Sequence, residues 1–392
     1  MNTEQKRKLR QGLLIGGIVI IAFNLRPGLA VVGPLVSQIR ADTGLSNALL
    51  GLLTTLPLLA FGVISMFTSL FTRRWGIEIT IAGALTLLCI GTILRVIPAT
   101  SALFGGTLLI GVGIAFGNVL LPSLIKRDFA SKSGIMTSIY SGVLGLGATL
   151  GAGISIPLAI PLGWRWALGI WVIPAIISVM IWLPQLKFRT RPAHRRNFSE
   201  SLKKHGNSML AWQVAFFMGL QSLAFYVILA WLPEILQNRG MSAATAGWML
   251  SLSQGMGIAG SLLIPTWAEK LRSQEKLIWG LTVMEFVGLL GIALPAVPLA
   301  SIWVSLIGFS LGGSFGLALL FLVLRTGDTE TATELSGIAQ SIGYLLAAAG
   351  PTLFGLLYDW KDDWIYPMLL LFVVLLAKLF FGLAASKPKV IN

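Results

Sequence analysis

The sequence predicts an all-α protein that crosses a membrane twelve times, built as two six-helix bundles. Three observations carry that prediction. Of 392 residues, 55% are hydrophobic and 11% charged, where a soluble domain carries about 25% charged residues. Apolar runs of about twenty residues recur along the whole chain, and at about 1.5 Å per residue each covers a hydrocarbon core of about 30 Å. The 29 basic residues alternate between rich and poor loops, as topology requires of a polytopic protein.

The spans fall at roughly 12–37, 47–71, 77–98, 101–124, 133–160, 164–184, 209–236, 243–268, 276–297, 301–324, 333–358 and 363–385. The first run is too long for a signal-peptide core and lacks a small-residue cleavage pattern, so it reads as a helix. Short loops are punctuated by Pro98, by Pro161 to Trp164, and by Pro295 with Pro298. One long polar segment, 187–208, divides the chain into an N-terminal bundle over 1–186 and a C-terminal bundle over 209–392. Its low apolar content predicts a mobile linker or a surface helix.

With both termini inside, 22 basic residues lie on the cytoplasmic side and five, Arg40, Arg95, Arg165, Arg239 and Lys361, on the other. That bias places both termini in the cytoplasm. A net charge of +14 can signal nucleic acid. Here the basic residues are dispersed over short loops, so topology explains them and no nucleic-acid partner is expected. Cys89 stands alone in an apolar run, which excludes a disulfide framework or a cysteine metal site. His194 and His205 both fall in the polar linker, away from any membrane relay. No metal or cofactor is expected, and no nucleophile–base pair or phosphate-cradling loop points to an enzyme.

Arg26 sits in the middle of the first span, where a guanidinium costs at least about 2.5–3.5 kcal/mol. Pro27 removes the N–H that would serve the Phe23 carbonyl and pushes Arg26 out of helical geometry. Gly28 and Gly33-Pro34 loosen the turns that follow. Broken backbone at membrane depth is tolerated where protein or a cavity covers it. Arg26 is therefore either an anion-binding charge lining a pathway or a structural arginine bonded to carbonyls of a neighbouring helix.

The halves repeat. Ser133-Gly-Ile-x-x-Ser-Ile139 opens span five, and Ser336-Gly-Ile-x-x-Ser-Ile342 opens span eleven. Ile110-Gly111 in span four matches Ile307-Gly308 in span ten. With the central linker, these suggest a parallel repeat of two six-helix units.

Several stretches carry a family resemblance. They are Asn24 to Pro27, Gly51 to Phe61 (GLLTTLPLLAF) and Gly111 to Phe129 (GVGIAFGNVLLPSLIKRDF) in the first half. Leu210 to Val214, Trp231 to Pro233 and Ser336 to Tyr344 continue them in the second. The chain resembles the major facilitator superfamily, within it the cyanate and nitroimidazole transporter branch, and there the nitroimidazole exporters more than the cyanate transporters. The resemblance covers nearly the whole chain. It implies two six-helix bundles related by a pseudo-two-fold axis, a small-molecule substrate, alternating access and a monomer. It also implies that spans one, four, seven and ten line a cavity, joined by two, five, eight and eleven. The superfamily's second-loop motif survives only as Arg73-Arg74-Trp75-Gly76, without its acidic residue.

Polar residues at mid-depth on those lining spans are candidate substrate ligands: Asn24 and Arg26, Asn118, Tyr140, Gln221, Tyr226, Gln254, Gln340 and Tyr344. Gln340 and Tyr344 are four apart and share a helix face. Asn24, two residues from Arg26, cannot face the same cavity in a regular helix. Neutral amides and phenols around one fixed charge suit a small anion or a polar heterocycle. Each neutral residue has the alternative of an interhelical hydrogen bond, worth about 0.6 kcal/mol. Phe225 and Trp231 are the aromatic residues placed to stack on a flat substrate.

Glu285 and Lys378 lie at matching depths on two supporting spans, which predicts a structural ion pair; the rival reading makes Glu285 a protonation site. No lining span carries an acidic residue at mid-depth. Glycines at 142, 145, 147, 151 and 153, and at 308, 312, 313 and 316, allow close helix approach or bending.

The leading expectation is a secondary transporter of a small organic anion or azole-like molecule, with Arg26 as its main binding charge. The alternatives are a broad exporter of hydrophobic drugs and a non-transport membrane sensor or intramembrane enzyme.

Overall fold

The computed structural model describes residues 3–129, 133–188, 206–294, 299–326 and 329–391. Most of the linker expected at 187–208, together with Pro295 and Pro298, lies outside the described residues. Apart from an isolated bridge between Thr326 and Ile391, the described residues form helices and connecting turns.

Twelve spans run in sequence. The first is broken into Thr3–Asn24, Pro27–Ala30 and Val32–Thr43. Asn47–Trp75, Ile77–Leu94, Thr100–Asp128 and Ser133–Leu162 follow as single helices, and the sixth is split into Trp164–Gly169 and Val172–Trp182. The second half holds Met209–Asn238, Ala243–Ala268, Glu275–Ala293, Ala300–Leu324, Thr329–Lys361 and Ile365–Ala385. Eleven of the twelve are long and apolar enough to cross a membrane. The twelfth, Ala243–Ala268, is a 26-residue helix diluted by Ser251, Ser253, Gln254 and four glycines. Its length and its place in the bundle make it the eighth span all the same.

Polar termini are satisfied locally. Ser46, Ser208 and Ser242 each cap a helix by accepting from the backbone N–H three residues on. Gly44, at φ +66°, ends the first span in the left-handed region that glycine tolerates best.

The repeated Ile-Gly pairs do the same job in each half. Gly111 lies against Pro57, so span four meets span two, and Gly308 lies against the Ser253 backbone, so span ten meets span eight. A Cβ would collide with backbone at either site, so these glycines are contact points between helices.

From mid-depth to the end opposite the termini (the far end), hydrogen bonds join the two halves. The Thr55 hydroxyl donates to the Ala348 carbonyl at 2.7 Å, and Ser251 to Thr149 O at 2.9 Å. At the far end Arg40 pairs with Glu234 and donates to Asn47 Oδ1 at 2.6 Å. Ser37 Oγ lies 2.8 Å from Glu234 Oε2 and 3.0 Å from Gln237 Oε1. Asp359 of span eleven accepts from Asn47 Nδ2 at 2.7 Å and from the Ala48 N–H at 2.8 Å, capping span two across the boundary.

At the other end of the second half, Arg325 is buried. Its Nε donates to Ala385 O at 2.8 Å, Nη2 donates to Ser386 O at 3.0 Å, and Nη2 also bonds Gln274. Burial pulls its pKa below the ordinary arginine value.

Lys378 and Glu285 meet as an ion pair, each side chain 2% exposed. The Ser310 hydroxyl lies 3.0 Å from Glu285 Oε2 and the Ser314 hydroxyl 3.5 Å from Lys378 Nζ. Breaking such a pair from one side strands a buried charge. Lys378→Ala alone is expected to lower unfolding stability in detergent by about 3–5 kcal/mol, and the double replacement Glu285→Leu with Lys378→Met by much less.

Candidate functional site

The site is built on the break in span one. Arg26 stands between the two interruptions, at φ −122° and ψ −37°, outside helical geometry as the residue before proline should be. Span five makes room for this irregular turn. A Cβ on Gly147 would lie 3.2 Å from Pro27 Cδ, and one on Gly151 would lie 2.9 Å from Pro27 Cα. Two of the five glycines noted in that span are thus required by close approach to the broken span, Gly147 chiefly to the Phe23 carbonyl oxygen, 2.5 Å from where its Cβ would lie, and Gly151 to Pro27.

Arg26 is only half-buried, while Leu25 and Pro27 on either side are buried. Its Nη1 donates to the Tyr226 hydroxyl at 3.1 Å, across the boundary between the halves. The guanidinium carbon lies 5.6 Å from the centre of the Phe225 ring and 6.0 Å from that of Tyr226. Both are within the range of cation–π attraction. Tyr140 of span five and Tyr344 of span eleven also interact with it electrostatically. The Tyr140 hydroxyl is 3.5 Å from Asn118 Oδ1, and the Tyr344 ring meets Phe61 edge-on at 5.4 Å. Arg26 of span one, Asn118 of span four, Tyr140 of span five, Tyr226 of span seven and Tyr344 of span eleven thus form one linked group. No carboxylate forms an ion pair with Arg26 among the described residues. Such a set places one positive charge among hydroxyl groups at the boundary between the halves.

Other candidates are not part of this group. Asn24 turns the opposite way: its Nδ2 donates to Ser178 Oγ at 2.8 Å and Pro174 O at 3.1 Å, tying span one to span six. It is a packing residue, because its amide is already used. Trp231 is also corrected. It is 1% exposed, donates Nε1 to Pro351 O at 2.9 Å, and lies among Phe354 and Trp364, 6.4 and 5.7 Å between ring centres. No face of that ring is open to a ligand. Gln221 and Gln340 donate to hydroxyls of their own helices, Ser222 and Ser336, at 2.7 and 2.8 Å. Gln254 is buried on span eight. Glu285 and Lys378 are remote from this group and bonded to one another.

The far-end network of Arg40, Ser37, Asn47, Glu234 and Asp359 went unnoticed in the sequence. One signal pointed to it. Glu234 stands within an apolar helix three residues past Trp231, and nothing within that span pairs with it.

The residues of this site, at the broken span and between two six-helix halves, fit a known architecture, and comparison with known proteins decides the family. The Major Facilitator Superfamily profile matches residues 18–351. The chain belongs to the major facilitator superfamily. This facilitator is 42% identical to the uncharacterized transporter YycB of Bacillus subtilis (strain 168), over 98% of its own length and 96% of that protein's. It is 41% identical to the 2-nitroimidazole transporter of Escherichia coli (strain K12), over 97% of each chain. To the cyanate transport protein CynX of the same organism it is 29% identical, over 89% of its own length and 92% of that protein's. These relatives place it in the cyanate and nitroimidazole branch of the superfamily. Among solved structures, the D-xylose–proton symporter shares the fold, with a TM-score of 0.77 at 16% identity over 98% of this chain and 100% of that one. The facilitator is thus a multi-pass membrane transporter.

Two substitutions probe the assignments. Gly151→Val is expected to destabilise by about 1–3 kcal/mol through overpacking against Pro27. Trp231→Phe should cost about 1 kcal/mol for the lost hydrogen bond to Pro351. Thermal unfolding of the purified variants measures both.

Proposed function

We propose that this transporter carries a small organic anion or an azole-like molecule by alternating access, with Arg26 as its main binding charge. The single observation behind this reading is the half-buried Arg26 guanidinium, midway along the bundle, bonded to the Tyr226 hydroxyl across the boundary and paired with no carboxylate among the described residues. A cation held at mid-membrane without an acidic partner gains most from an anionic or electron-rich ligand. Phe225 offers a ring for a flat molecule to stack on. Asn118, beside Tyr140, supplies an uncharged amide, and Gln221, Gln254 and Gln340 are further amides of the lining spans. The names of two relatives, a 2-nitroimidazole transporter and a cyanate transport protein, agree with a substrate of that class.

In this reading the protein works as a monomer in the bacterial inner membrane with both termini in the cytoplasm. The far end is then periplasmic, and the Arg40–Glu234 network is the closure that must part before substrate passes that way. Rocking of one half against the other around a fixed midplane site is the general scheme for such repeats.

Arg26→Ala is expected to abolish 2-nitroimidazole binding to purified protein, read as loss of ligand-induced thermal stabilisation. Tyr226→Phe should weaken binding about tenfold, the effect of one charge-assisted hydrogen bond. Undiminished affinity in Arg26→Ala would refute the assignment. Glu234→Gln should loosen the far end. A cysteine placed at Gln237, in a Cys89→Ser background, is then expected to react faster with an alkylating reagent.

A further inference from the structure

Arg95 follows the last residue of span three, where the sequence places it among the far-side loop charges. An arginine at a helix end ordinarily reaches out to water. This one turns inward and is 1% exposed. Its Nη1 donates to the Gly28 carbonyl at 2.7 Å. Its Nε and Nη2 are buried and meet no partner among the described residues. No carboxylate pairs with it there either.

A buried guanidinium in that state is costly, because it has left water and gained one hydrogen bond in return. The value of the arrangement must lie in that bond. Gly28 is two residues past Arg26, inside the four-residue turn Pro27–Ala30. Backbone bonds run from Ala30 to Arg26 and from Val31 to Pro27, and a new helix starts at Val32. Polar groups of interrupted backbone at this depth must be met by something. Span four packs closely on span three beside Arg95: a Cβ on Gly106 would lie 2.5 Å from the Gly91 carbonyl oxygen and 3.0 Å from Arg95 Cγ. Span five holds the turn on one side through Gly147 and Gly151, and Arg95 holds it by its backbone.

We propose that Arg95 is a positioning residue for transport. It fixes the Pro27–Ala30 turn and so aims the Arg26 guanidinium at Tyr226. A simple packing tie would stabilise the fold. A positioning charge with two unmet donors adds little stability and instead orders the turn. The two roles therefore predict opposite results on removal.

The inference rests on Arg26 being the binding charge, and the test reads the two separately. Arg95→Met keeps the length of the side chain and removes the donors; Arg95→Lys keeps a donor. Hydrogen–deuterium exchange of peptides covering 20–36, the melting temperature without ligand, and 2-nitroimidazole affinity are measured for both, with Arg26→Ala alongside. In Arg95→Met, amides of 25–32 should exchange at least about tenfold faster, as for a lost charged hydrogen bond. Its melting temperature should not fall, and its affinity should drop about tenfold or more. Arg95→Lys should recover most of the protection and affinity. Unchanged exchange, unchanged affinity, or a lowered melting temperature or failure to fold in Arg95→Met would each overturn the positioning role. Affinity retained in Arg26→Ala would instead overturn the binding charge, and the exchange data would still decide whether Arg95 orders the turn.

Discussion

The structure depends on how it accommodates one guanidinium midway through an apolar bundle. The desolvation of Arg26 is large on any scale, and no acidic partner relieves it among the described residues. Three features act together instead. Proline breaks the helix, so the side chain leaves the regular ladder. Glycines of span five let the broken turn seat against their backbone. The Tyr226 hydroxyl of the other half then accepts a bond from the charge without neutralising it.

Much of this was legible in the sequence. Arg26-Pro27 inside an apolar run announces both a charge and an interruption, and Tyr140, Tyr226 and Tyr344 stand near mid-depth on spans that the resemblance marked as lining. The matching depths of Glu285 and Lys378 suggested their meeting, and the structure places them in contact. What stayed hidden depends on rotation about a helix axis. Spacing alone says that Asn24 and Arg26 face apart but not where either points; Asn24 goes to span six and Arg26 to Tyr226. Trp231 sits on a lining span but faces its own half, where the Pro351 carbonyl takes its N–H. Depth can be counted from a sequence; facing cannot, once the helix is interrupted. The far-end bonds were hidden for a related reason. Their partners stand about 200 and 312 positions apart, and nothing local links them.

The boundary between the halves has two kinds of contact. At mid-depth it combines the charged bond from Arg26 to Tyr226 with neutral ones such as Thr55 to Ala348, which can be exchanged with little electrostatic consequence. At the far end it is made by charges, Arg40 with Glu234 and Asp359 with the start of span two. Opposite charges on separating bodies resist parting more than neutral groups do, and they regain hydration once apart. Apart from Arg26, these boundary charges thus stand at the end of the bundle where water can receive them.

The eighth span is tied to the opposite half as well as to its own. Its Gly247 faces the Ala152 carbonyl of span five, and its Ser251 hydroxyl bonds Thr149 of the same span. Any rocking that draws span eight away from span five therefore has to break that bond and reopen the glycine contact.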